Sequence, residues 1–444
     1  MNTQAERSTE ECIVRVLQHL GIAQAHVAAR LPGDWQALAH KQPQTIASLT
    51  LVCPQGMEPS LLKPLASRLL LLSGDRGMPA ERARRVVNDL PEATLHVLAG
   101  YPSPTPYADI AVERTAEIGA TITDFLAQID QRHEIKPVSL AQMTGELDGI
   151  SYQVQGAGSP LVLLPLSVAP SQWEPLLPQL NQRHCTITLS GPALGMVASL
   201  EGRGHTAGYL GVVGRLMDTA QVRPGEVILE VGCGTGVLDR WLARRTAGVN
   251  RIVGVDINPF LLRQARALAK QEGVDQHIEF QEGNAEALPF PDNSFDVAMS
   301  STVIQRVDAS RMLPEMVRVT KPGGRVAVVG HAHDMPRWVN LPLSAALKAK
   351  VEAPGWADEG GHPQGIDDAR LYLRMHQAGL TQIAMFPQLA TFDDRARWQT
   401  LQAGVLPTLS PAEVEEWRAA VAQAETEGTL FLTNPFHCAV GTKP

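Results

Sequence analysis

The chain has 444 residues, of which 44% are hydrophobic and 19% are charged. This length exceeds the size at which a single hydrophobic core stops growing, so we expect two globular domains. The formal net charge of −8 provides no overall positive field to gather phosphates, which argues against nucleic acid as a partner.

The cysteines and the N-terminal segment indicate a cellular compartment. The five cysteines form no C-x-x-C pair and have no histidine at metal-ligand spacing, which is typical of reduced thiols in a cytosolic protein. The opening MNTQAERSTEEC lacks the basic start and apolar core of a secretory signal. Apolar runs such as Leu161–Leu166 are much shorter than a membrane span. We therefore expect a soluble, cytoplasmic protein with no membrane partner.

Helices and strands alternate through the first 200 residues. A polar, irregular stretch at about residues 131–148 predicts an internal joint, and a second boundary near residues 202–204 divides the chain into domains of residues 1–203 and 204–444. Short apolar runs predict the strands of the first domain: Ile46–Val52, Leu69–Leu72, Thr94–Leu98, Leu161–Leu164 and Cys185–Leu189.

Two long segments of the first domain are similar to parts of an α/β-hydrolase. The segment VLQHLGIAQAHVAARLPGDWQALAHKQPQTIASLTLVCP resembles the surroundings of that family's nucleophile elbow, and LLLLSGDRGMPAERARRVVNDLPEATLHVLAGY resembles the stretch that comes after the elbow. The hydrolase's first strands resemble a later segment, ISYQVQGAGSPLVLLPLSVAPSQW. The resemblance therefore implies a circularly permuted α/β-hydrolase-like domain. The alternative is that unrelated αβα sandwiches share this pattern.

The same resemblance places no catalytic group at the hydrolase's catalytic positions. The elbow motif G-x-S-x-G corresponds to residues 29–33, with Leu31 in place of the nucleophile. Gly77 stands in place of the acid, Tyr101 in place of the histidine, and Pro165-Leu166 on the oxyanion side. Hydrolysis by a triad is therefore not expected. We expect this domain to serve folding, substrate capture or dimerisation, so that a homodimer through the N-terminal domain is a possible assembly.

The second domain alternates short apolar runs with helices between Val227 and Val329. The runs VILEV, RIVGV, IEF, FDVAM and RVAVV, with a helix over Phe260–Gln271, predict a doubly wound parallel sheet covered on both faces. Residues 335–380 mix proline and glycine with apolar helical segments, which predicts a substrate lid. Two late runs, Gln382–Phe386 and Phe436–Gly441, predict further strands on either side of a helix at about Pro411–Thr426.

A glycine-rich turn comes after the first of these strands, in VILEVGCGTGVLDRWLA. Gly232 and Gly234 permit a tight turn and close approach to a ligand, and Gly236 lets the next helix pack on the sheet. A dinucleotide enzyme carries G-x-G-x-x-G to hold a pyrophosphate at the helix N-terminus. The spacing here is G-x-G-x-G with Glu230 two residues ahead, which argues against a dinucleotide.

This loop resembles that of class I S-adenosylmethionine (SAM)-dependent methyltransferases. The segments DNSFDVAMSSTVIQRV and EMVRVTKPGGRVAVV are similar to the fourth and fifth strands of the ubiquinone and menaquinone methyltransferase type. The resemblance covers about residues 208–444 and implies a Rossmann-like domain with SAM as its cofactor. It implies cofactor contacts by Glu230, Gly232, Cys233, Gly234, Gly236, Asp256, Ile257, Asn284, Ala285, Ser300 and Ser301.

Three of these positions have a chemical reason for their assignment. Asp256 ends the second strand, where a carboxylate can accept hydrogen bonds from both ribose hydroxyls, and Ile257 can flank the adenine. Asn284 stands where the family usually has aspartate, and its amide oxygen can still accept from the adenine amino group.

The acceptor side of the site is predicted to come after the fifth strand. A sulfonium donor needs alignment and exclusion of water, and a base is required only when the acceptor must lose a proton. In GHAHDMPRW, His331 and His333 are candidate bases, with capping of the strand as the alternative. The candidate substrate contacts are Gln305, Arg306, Asp334 and Trp338. No metal site is predicted, because no acidic cluster beyond Asp256 and Asp296 falls at strand ends.

These observations predict transfer of a methyl group to an oxygen or carbon of a small, largely apolar or aromatic metabolite. Two alternatives use the cofactor differently. The protein can be a SAM-binding regulator or scaffold, or an enzyme that uses the cofactor's charge to steer a rearrangement or cyclisation without losing the methyl group.

Overall fold

A computed structural model describes residues 8–30, 32–54, 57, 59–102, 110–166, 170–191, 194–355, 362–392, 398, 401–402 and 404–444. The chain divides into two compact units, residues 1–199 and 200–444. Each unit contains its own eight-stranded sheet, which confirms the mixed α/β class. No helix in these ranges is both long enough and apolar enough to cross a membrane.

The N-terminal unit is a sheet with apolar clusters on both faces. Its strands are β1 (Ala25–Ala29), β2 (Ile46–Val52), β3 (Leu69–Arg76), β4 (Thr94–Pro102), β5 (Met143–Leu147), β6 (Ile150–Gln155), β7 (Ser159–Leu163) and β8 (His184–Ser190). Its helices are α1 (Thr9–His19), α2 (Pro32–Lys41), α3 (Pro59–Leu62), α4 (Gly77–Asp89), α5 (Ile110–Glu113), α6 (Thr115–Arg132) and α7 (Leu177–Leu180). Every residue of β1 and β2 is buried, as expected for central strands covered on both faces.

The strands of this first sheet lie in the order β4-β3-β2-β1-β7-β8-β6-β5. Neighbours from β4 to β8 pair in parallel, whereas β6 runs antiparallel to both β8 and β5. Strands β1, β5 and β6 were not among the predicted apolar runs. β5 and β6 form a hairpin, and β5 is its outer strand. Because β5 is largely exposed, its sequence has few apolar residues that would predict a strand.

The described hydrolase-like positions lie where parallel strands end, or just beyond. Leu31, the residue in the nucleophile's place, lies outside the described residues. Gly77 begins α4, and Pro165-Leu166 come just after β7. Tyr101 is buried in β4, and its hydroxyl donates a hydrogen bond to Glu113.

The C-terminal unit contains the second sheet. Its strands are β9 (Val227–Val231), β10 (Arg251–Asp256), β11 (Ile278–Glu282), β12 (Phe295–Ser301), β13 (Thr320–His331), β14 (Trp338–Val339), β15 (Thr381–Phe392) and β16 (Leu432–Thr442). The helices from residue 195 onward are α8 (Gly195–His205), α9 (Ala207–Thr219), α10 (Val237–Arg245), α11 (Pro259–Gln271), α12 (Ala309–Val319), α13 (Ala345–Glu352), α14 (Arg370–Gln377) and α15 (Pro411–Glu427).

Five parallel strands of this sheet lie in the order β11-β10-β9-β12-β13, and β16 continues it antiparallel to β13. The strand order reverses between β9 and β12. At such a point the connections leave on opposite faces of the sheet and open a crevice at the carboxyl ends of the strands, where open α/β sheets bind ligands. The carboxyl edge beside β9, β10, β12 and β13 is therefore where a site is expected.

The segment predicted as a lid, residues 335–380, contains β14, α13 and α14. Its residues 356–361 lie outside the described ranges. Residues 362–366 pack on the segment after β12: the Ile366 N–H donates to the Ile304 carbonyl at 3.2 Å, and the His362 N–H donates to the Gln305 carbonyl at 2.8 Å. A β-carbon on Gly365 would lie 2.3 Å from that Gln305 carbonyl oxygen, so the close approach requires glycine.

Candidate active site

The glycine loop between β9 and α10 has a backbone that only glycine adopts without strain. Gly232, Gly234 and Gly236 have φ values of +77°, +56° and +69°. A β-carbon on Gly232 would lie 2.3 Å from Val303 Cγ2, and one on Gly236 would lie 2.5 Å from Phe280 Cζ. The loop is therefore fixed both by its dihedral angles and by its neighbours.

Asp256, at the end of β10, holds this loop through its carboxylate. Asp256 Oδ2 accepts a hydrogen bond from the Gly234 N–H at 2.9 Å, and Oδ1 accepts from the Asn258 N–H at 2.9 Å. Burial raises the pKa of Asp256, whereas these backbone donors lower it. Each oxygen has a second lone pair, so the carboxylate can also accept from a diol. The neighbouring Ile257 side chain is 62% exposed beside it, as a residue that flanks an aromatic ring must be.

Two carboxyl groups are buried beneath the loop. Glu230 in β9 is 2% exposed, and Asp239 in α10 is fully buried. In the described part of the chain, no N–H donates to Glu230 Oε2 or to either carboxylate oxygen of Asp239. Burial, together with the charge of Asp239, raises the pKa of Glu230 well above its usual range. Burial also raises the pKa of Asp239 to about 7. Asp239 was not among the predicted site residues.

Arg240, next to this pair, forms its ion pairs and hydrogen bonds with other groups. Its guanidinium is 1% exposed and forms ion pairs with Glu201 and, at 2.8 Å, with Glu272. Its Nη1 also donates to the Thr235 carbonyl at 2.6 Å. Each guanidinium nitrogen therefore donates to a group other than Glu230 Oε2 or the Asp239 carboxylate.

The predicted adenine side lies after β11. Asn284 is exposed, and its side-chain oxygen accepts a hydrogen bond from the Glu286 N–H at 2.9 Å. A second lone pair on that oxygen leaves it able to accept from an amino group. Ala285 is half-buried and packs on the apolar cluster that includes Val231 and Val255.

The two adjacent serines at the end of β12 point to opposite faces of the sheet. Ser300 is fully buried, and its hydroxyl donates to the Val231 carbonyl at 2.8 Å. The Ser301 hydroxyl lies 2.7 Å from the hydroxyl of Tyr209, which comes from α9. Alternation along a strand explains the difference. Ser300 thus links β12 to β9, whereas Ser301 is hydrogen-bonded to an aromatic residue that was not among the predicted site residues.

A row of four rings extends along the carboxyl edge from that tyrosine. The ring of Tyr209 meets Phe436 edge-on at 5.7 Å between centroids, and Phe436 lies 5.2 Å from His331. His331 stacks on His333 at 5.6 Å with an interplanar angle of 20°. The His333 Nδ1 lies 3.0 Å from Asp367 Oδ2, which orients its ring. The two predicted histidines are therefore brought together at the end of β13.

A second histidine–carboxylate pair lies on the neighbouring strand. His437 in β16 is 6% exposed, and its Nε2 lies 2.7 Å from Asp334 Oδ1. The other oxygen of Asp334 accepts a hydrogen bond from the Ala369 N–H at 3.1 Å. The His437 Nδ1 is buried and has no hydrogen-bond partner among the described residues. Asp334, predicted to contact substrate, is thus hydrogen-bonded to a histidine of the late strand β16.

The remaining predicted substrate residues differ in accessibility. The buried Gln305 donates from Nε2 to the Thr302 carbonyl at 3.0 Å, and its side-chain oxygen has no partner in the described ranges. Arg306 is half-buried just after it. Trp338 is 43% exposed and meets Phe431 edge-on at 5.3 Å.

Comparison with known proteins decides the family. Residues 229–328 match the family model described as "Methyltransferase domain". The ubiquinone/menaquinone biosynthesis C-methyltransferase of Hahella chejuensis is 36% identical over 178 residues, which cover 37% of this chain and 70% of that protein. The chain belongs to the SAM-dependent methyltransferases.

Other similar proteins match over part of their length. The methyltransferase of the same name from Enterobacter sp. is 37% identical over 134 residues, 30% of this chain, and the match spans about half of that protein, 52%. Among solved structures, the geranyl diphosphate C-methyltransferase of Streptomyces coelicolor A3(2), in complex with Mg²⁺, geranyl diphosphate and S-adenosyl-L-homocysteine, is 18% identical. The match covers 53% of this chain and 79% of that one, with a TM-score of 0.35.

The residues at the carboxyl edge fit SAM, the cofactor of this methyltransferase. The glycine loop leaves room for close approach, and the Asp256 carboxylate stands at the strand end beside exposed Ile257. The buried Glu230 Oε2 lacks a hydrogen-bond partner among the described residues, and the ammonium group of SAM supplies donors of the matching charge.

Replacement of Asp239 by asparagine is expected to stabilise the unliganded methyltransferase at alkaline pH. The folded protein holds the Asp239 proton with a pKa of about 7, against an ordinary value of 3.8. The carboxyl group therefore lowers the free energy of unfolding progressively as pH rises from about 4 to about 7. An amide cannot ionise but is itself buried with unmet hydrogen bonds, so we expect a net gain of about 1–2 kcal/mol at pH 8 and less at pH 5. The free energy of unfolding in urea, determined for the wild-type and variant proteins at both pH values, measures this gain.

Asp275→Asn is the matched control, because it removes the same charge from an exposed position. A control variant that gains as much stability as Asp239→Asn would attribute the effect to net charge. Loss of stability at pH 8 in Asp239→Asn would contradict the expected sign.

Proposed function

We propose that the C-terminal unit transfers the methyl group of SAM to an oxygen or carbon of a small, largely apolar or aromatic molecule. The observation that carries this proposal is the row of Tyr209, Phe436, His331 and His333 along the carboxyl edge. Tyr209 and Phe436 are buried, so the half-buried imidazoles of His331 and His333 form the accessible end of this row, and their rings favour an aromatic or extended apolar partner. The same row includes two imidazole rings. A pocket that only bound an apolar molecule would not need these polar groups.

The residues of the site have different roles in the proposed reaction. SAM supplies a methyl group on a sulfonium, whose leaving group departs neutral. The glycine loop and Asp256 position the donor, and the buried, hydrogen-bonded pair of Tyr209 and Ser301 supports the ring row beside it. His333 takes the acceptor's proton at Nε2, while Asp367 holds its Nδ1. Gln305, Arg306 and Trp338 complete the acceptor side in this proposal. The lid segment keeps water from the acceptor.

Transfer of labelled methyl tests this proposal directly. The full chain is incubated with methyl-labelled SAM and a fractionated metabolite extract, and S-adenosylhomocysteine is quantified together with labelled products. We expect equal amounts of S-adenosylhomocysteine and of one labelled, organic-soluble product. Tight SAM binding with no S-adenosylhomocysteine formed in any fraction would favour a scaffold or a non-methylating catalyst instead.

For the N-terminal unit we propose a circularly permuted α/β-hydrolase sheet that has lost hydrolysis. When strands are counted from β5, the sheet order becomes 1-2-4-3-5-6-7-8 with the second strand alone antiparallel, which is the order of that fold. Tyr101, with its hydroxyl bonded to Glu113, stands where that fold carries its histidine. We expect no turnover of short-chain aryl esters by the full chain. An ester hydrolysis rate that survives purification and is sensitive to a serine-directed inhibitor would contradict this proposal.

We further propose that this N-terminal unit forms a homodimer. Sedimentation of the full chain at micromolar concentration is expected to give twice the monomer mass, and a single species of monomer mass would count against it.

A further inference from the structure

We propose that Asp239 and Glu230 form a charge sensor beneath the cofactor loop, which releases a proton when the cationic SAM binds and thereby favours SAM over its neutral product. SAM carries a sulfonium, an ammonium and a carboxylate, so its net charge is positive. S-adenosylhomocysteine has lost the sulfonium and is neutral overall. The inference rests on SAM as cofactor and not on the identity of the acceptor.

The backbone brings the two acids to one point. Glu230 on β9 pairs in register with Gly254 on the adjacent strand β10. Asp239, in the first turn of α10, reaches down onto the same position: a β-carbon on Gly254 would lie 2.7 Å from Asp239 Oδ2 and 2.9 Å from Cys233 Sγ. A side chain at 254 would displace the carboxyl group, so glycine there makes room for it.

The charged groups around Glu230 and Asp239 do not supply enough positive charge to balance the two acids. Arg240, next along α10, forms ion pairs with Glu201 and Glu272, and its charge only partly offsets the effect of burial on the pKa of Asp239. Arg203 from α8 favours the charged form of Glu230 and donates from Nη1 to Thr302 Oγ1 at 2.7 Å. Asp256 from β10 adds a further negative charge. Acids therefore outnumber the positive charge available to the pair, and the deficit lies directly under the loop that receives the donor.

Such a pair holds a proton that a nearby cation expels. Burial raises the pKa of both acids, that of Asp239 to about 7, and the charge of Asp239 raises the pKa of Glu230 further, so near neutral pH the pair carries an exchangeable proton. A positive ligand above the loop stabilises the ionised pair, since charges interact strongly in a water-poor site. By linkage, binding of SAM releases a proton, and SAM affinity rises as pH increases through 7. S-adenosylhomocysteine keeps the ammonium group but lacks the sulfonium charge, so it gains less from this ionisation.

Calorimetry of the wild-type chain tests the inference without any variant. SAM and S-adenosylhomocysteine are each titrated at pH 7 in buffers of different ionisation enthalpy. We expect release of about half a proton with SAM and clearly less with S-adenosylhomocysteine. Between pH 6 and pH 8 the ratio of SAM affinity to product affinity is expected to rise at least about twofold.

Variants then assign the effect. Asp239→Asn is expected to abolish the proton release and flatten the pH dependence of the affinity ratio, whereas Asp275→Asn keeps both. A wild-type protein that binds SAM with the same enthalpy in every buffer overturns the sensor, and so does proton release that persists in Asp239→Asn. Either result leaves the proposed function standing, while proton release without methyl transfer would overturn that function alone.

Discussion

Replacement of Gly232 by alanine is expected to weaken SAM binding at least about 100-fold, or about 2.7 kcal/mol. Gly232 has a φ of +77°, and an added β-carbon would lie 2.3 Å from Val303 Cγ2. The contact is with a short, branched side chain, which cannot swing clear as a long one could. The loop must therefore move, although the Gly232 and Cys233 N–H groups both donate to the Val255 carbonyl, at 2.7 and 3.1 Å. Isothermal titration with SAM measures the loss.

Gly225 offers a matched control for this substitution. It has a similar φ of +82°, but no atom lies within 4 Å of the position of an added β-carbon. Gly225→Ala should lower the free energy of unfolding by about 1 kcal/mol through backbone strain and leave SAM affinity unchanged. Equal losses of affinity in both variants would assign the effect to general strain, and unchanged affinity in Gly232→Ala would contradict the close contact with Val303.

Replacement of His333 by asparagine is expected to lower the turnover number about 100-fold or more, because removal of a positioned general base removes that much acceleration. SAM affinity should remain within twofold or so of wild type, since His333 lies at the acceptor end of the site. Single-turnover methyl transfer at saturating SAM provides the rate, and calorimetry provides the affinity. Asp367→Asn, which removes the group that orients Nδ1 at 3.0 Å, should show a smaller loss of the same kind.

His376 on the exposed side of α14 provides the control for this experiment, because its replacement by asparagine removes an exposed imidazole that is not part of the ring row. Comparable turnover in His331→Asn, His333→Asn and the control would remove both histidines from consideration as the base. A loss of turnover only in His331→Asn would assign the role of base to His331 and not to His333.

The sequence was sufficient to predict the features that depend on local pattern. The five parallel strands and the glycine loop can be predicted from periodicity and spacing, and the structure places them as predicted. The opposite orientations of Ser300 and Ser301 could also have been inferred, because adjacent residues of a strand face opposite sides. A further signal was present at Asp239, a charged residue one turn before Leu242 on the buried face of α10.

Other parts of the site depend on pairings between distant residues. His437 and Asp334 are separated by 103 residues, and only the antiparallel pairing of β16 with β13 brings them together. Tyr209 comes from a helix that precedes the first strand of the sheet, and its hydroxyl meets Ser301 across 92 residues. No local motif encodes such contacts, because side-chain pairing across a sheet depends on register and on the packing of helices.

The bond between the Gly234 N–H and Asp256 also bears on how fast the cofactor binds. This bond forms within the polypeptide itself, so the loop has its shape before a ligand arrives. A site of this kind does not spend binding energy on ordering a segment, and association need not wait for a conformational step. We therefore expect the association rate of SAM to vary little among variants of the acceptor side, and differences in affinity to arise mainly from how long the cofactor stays bound.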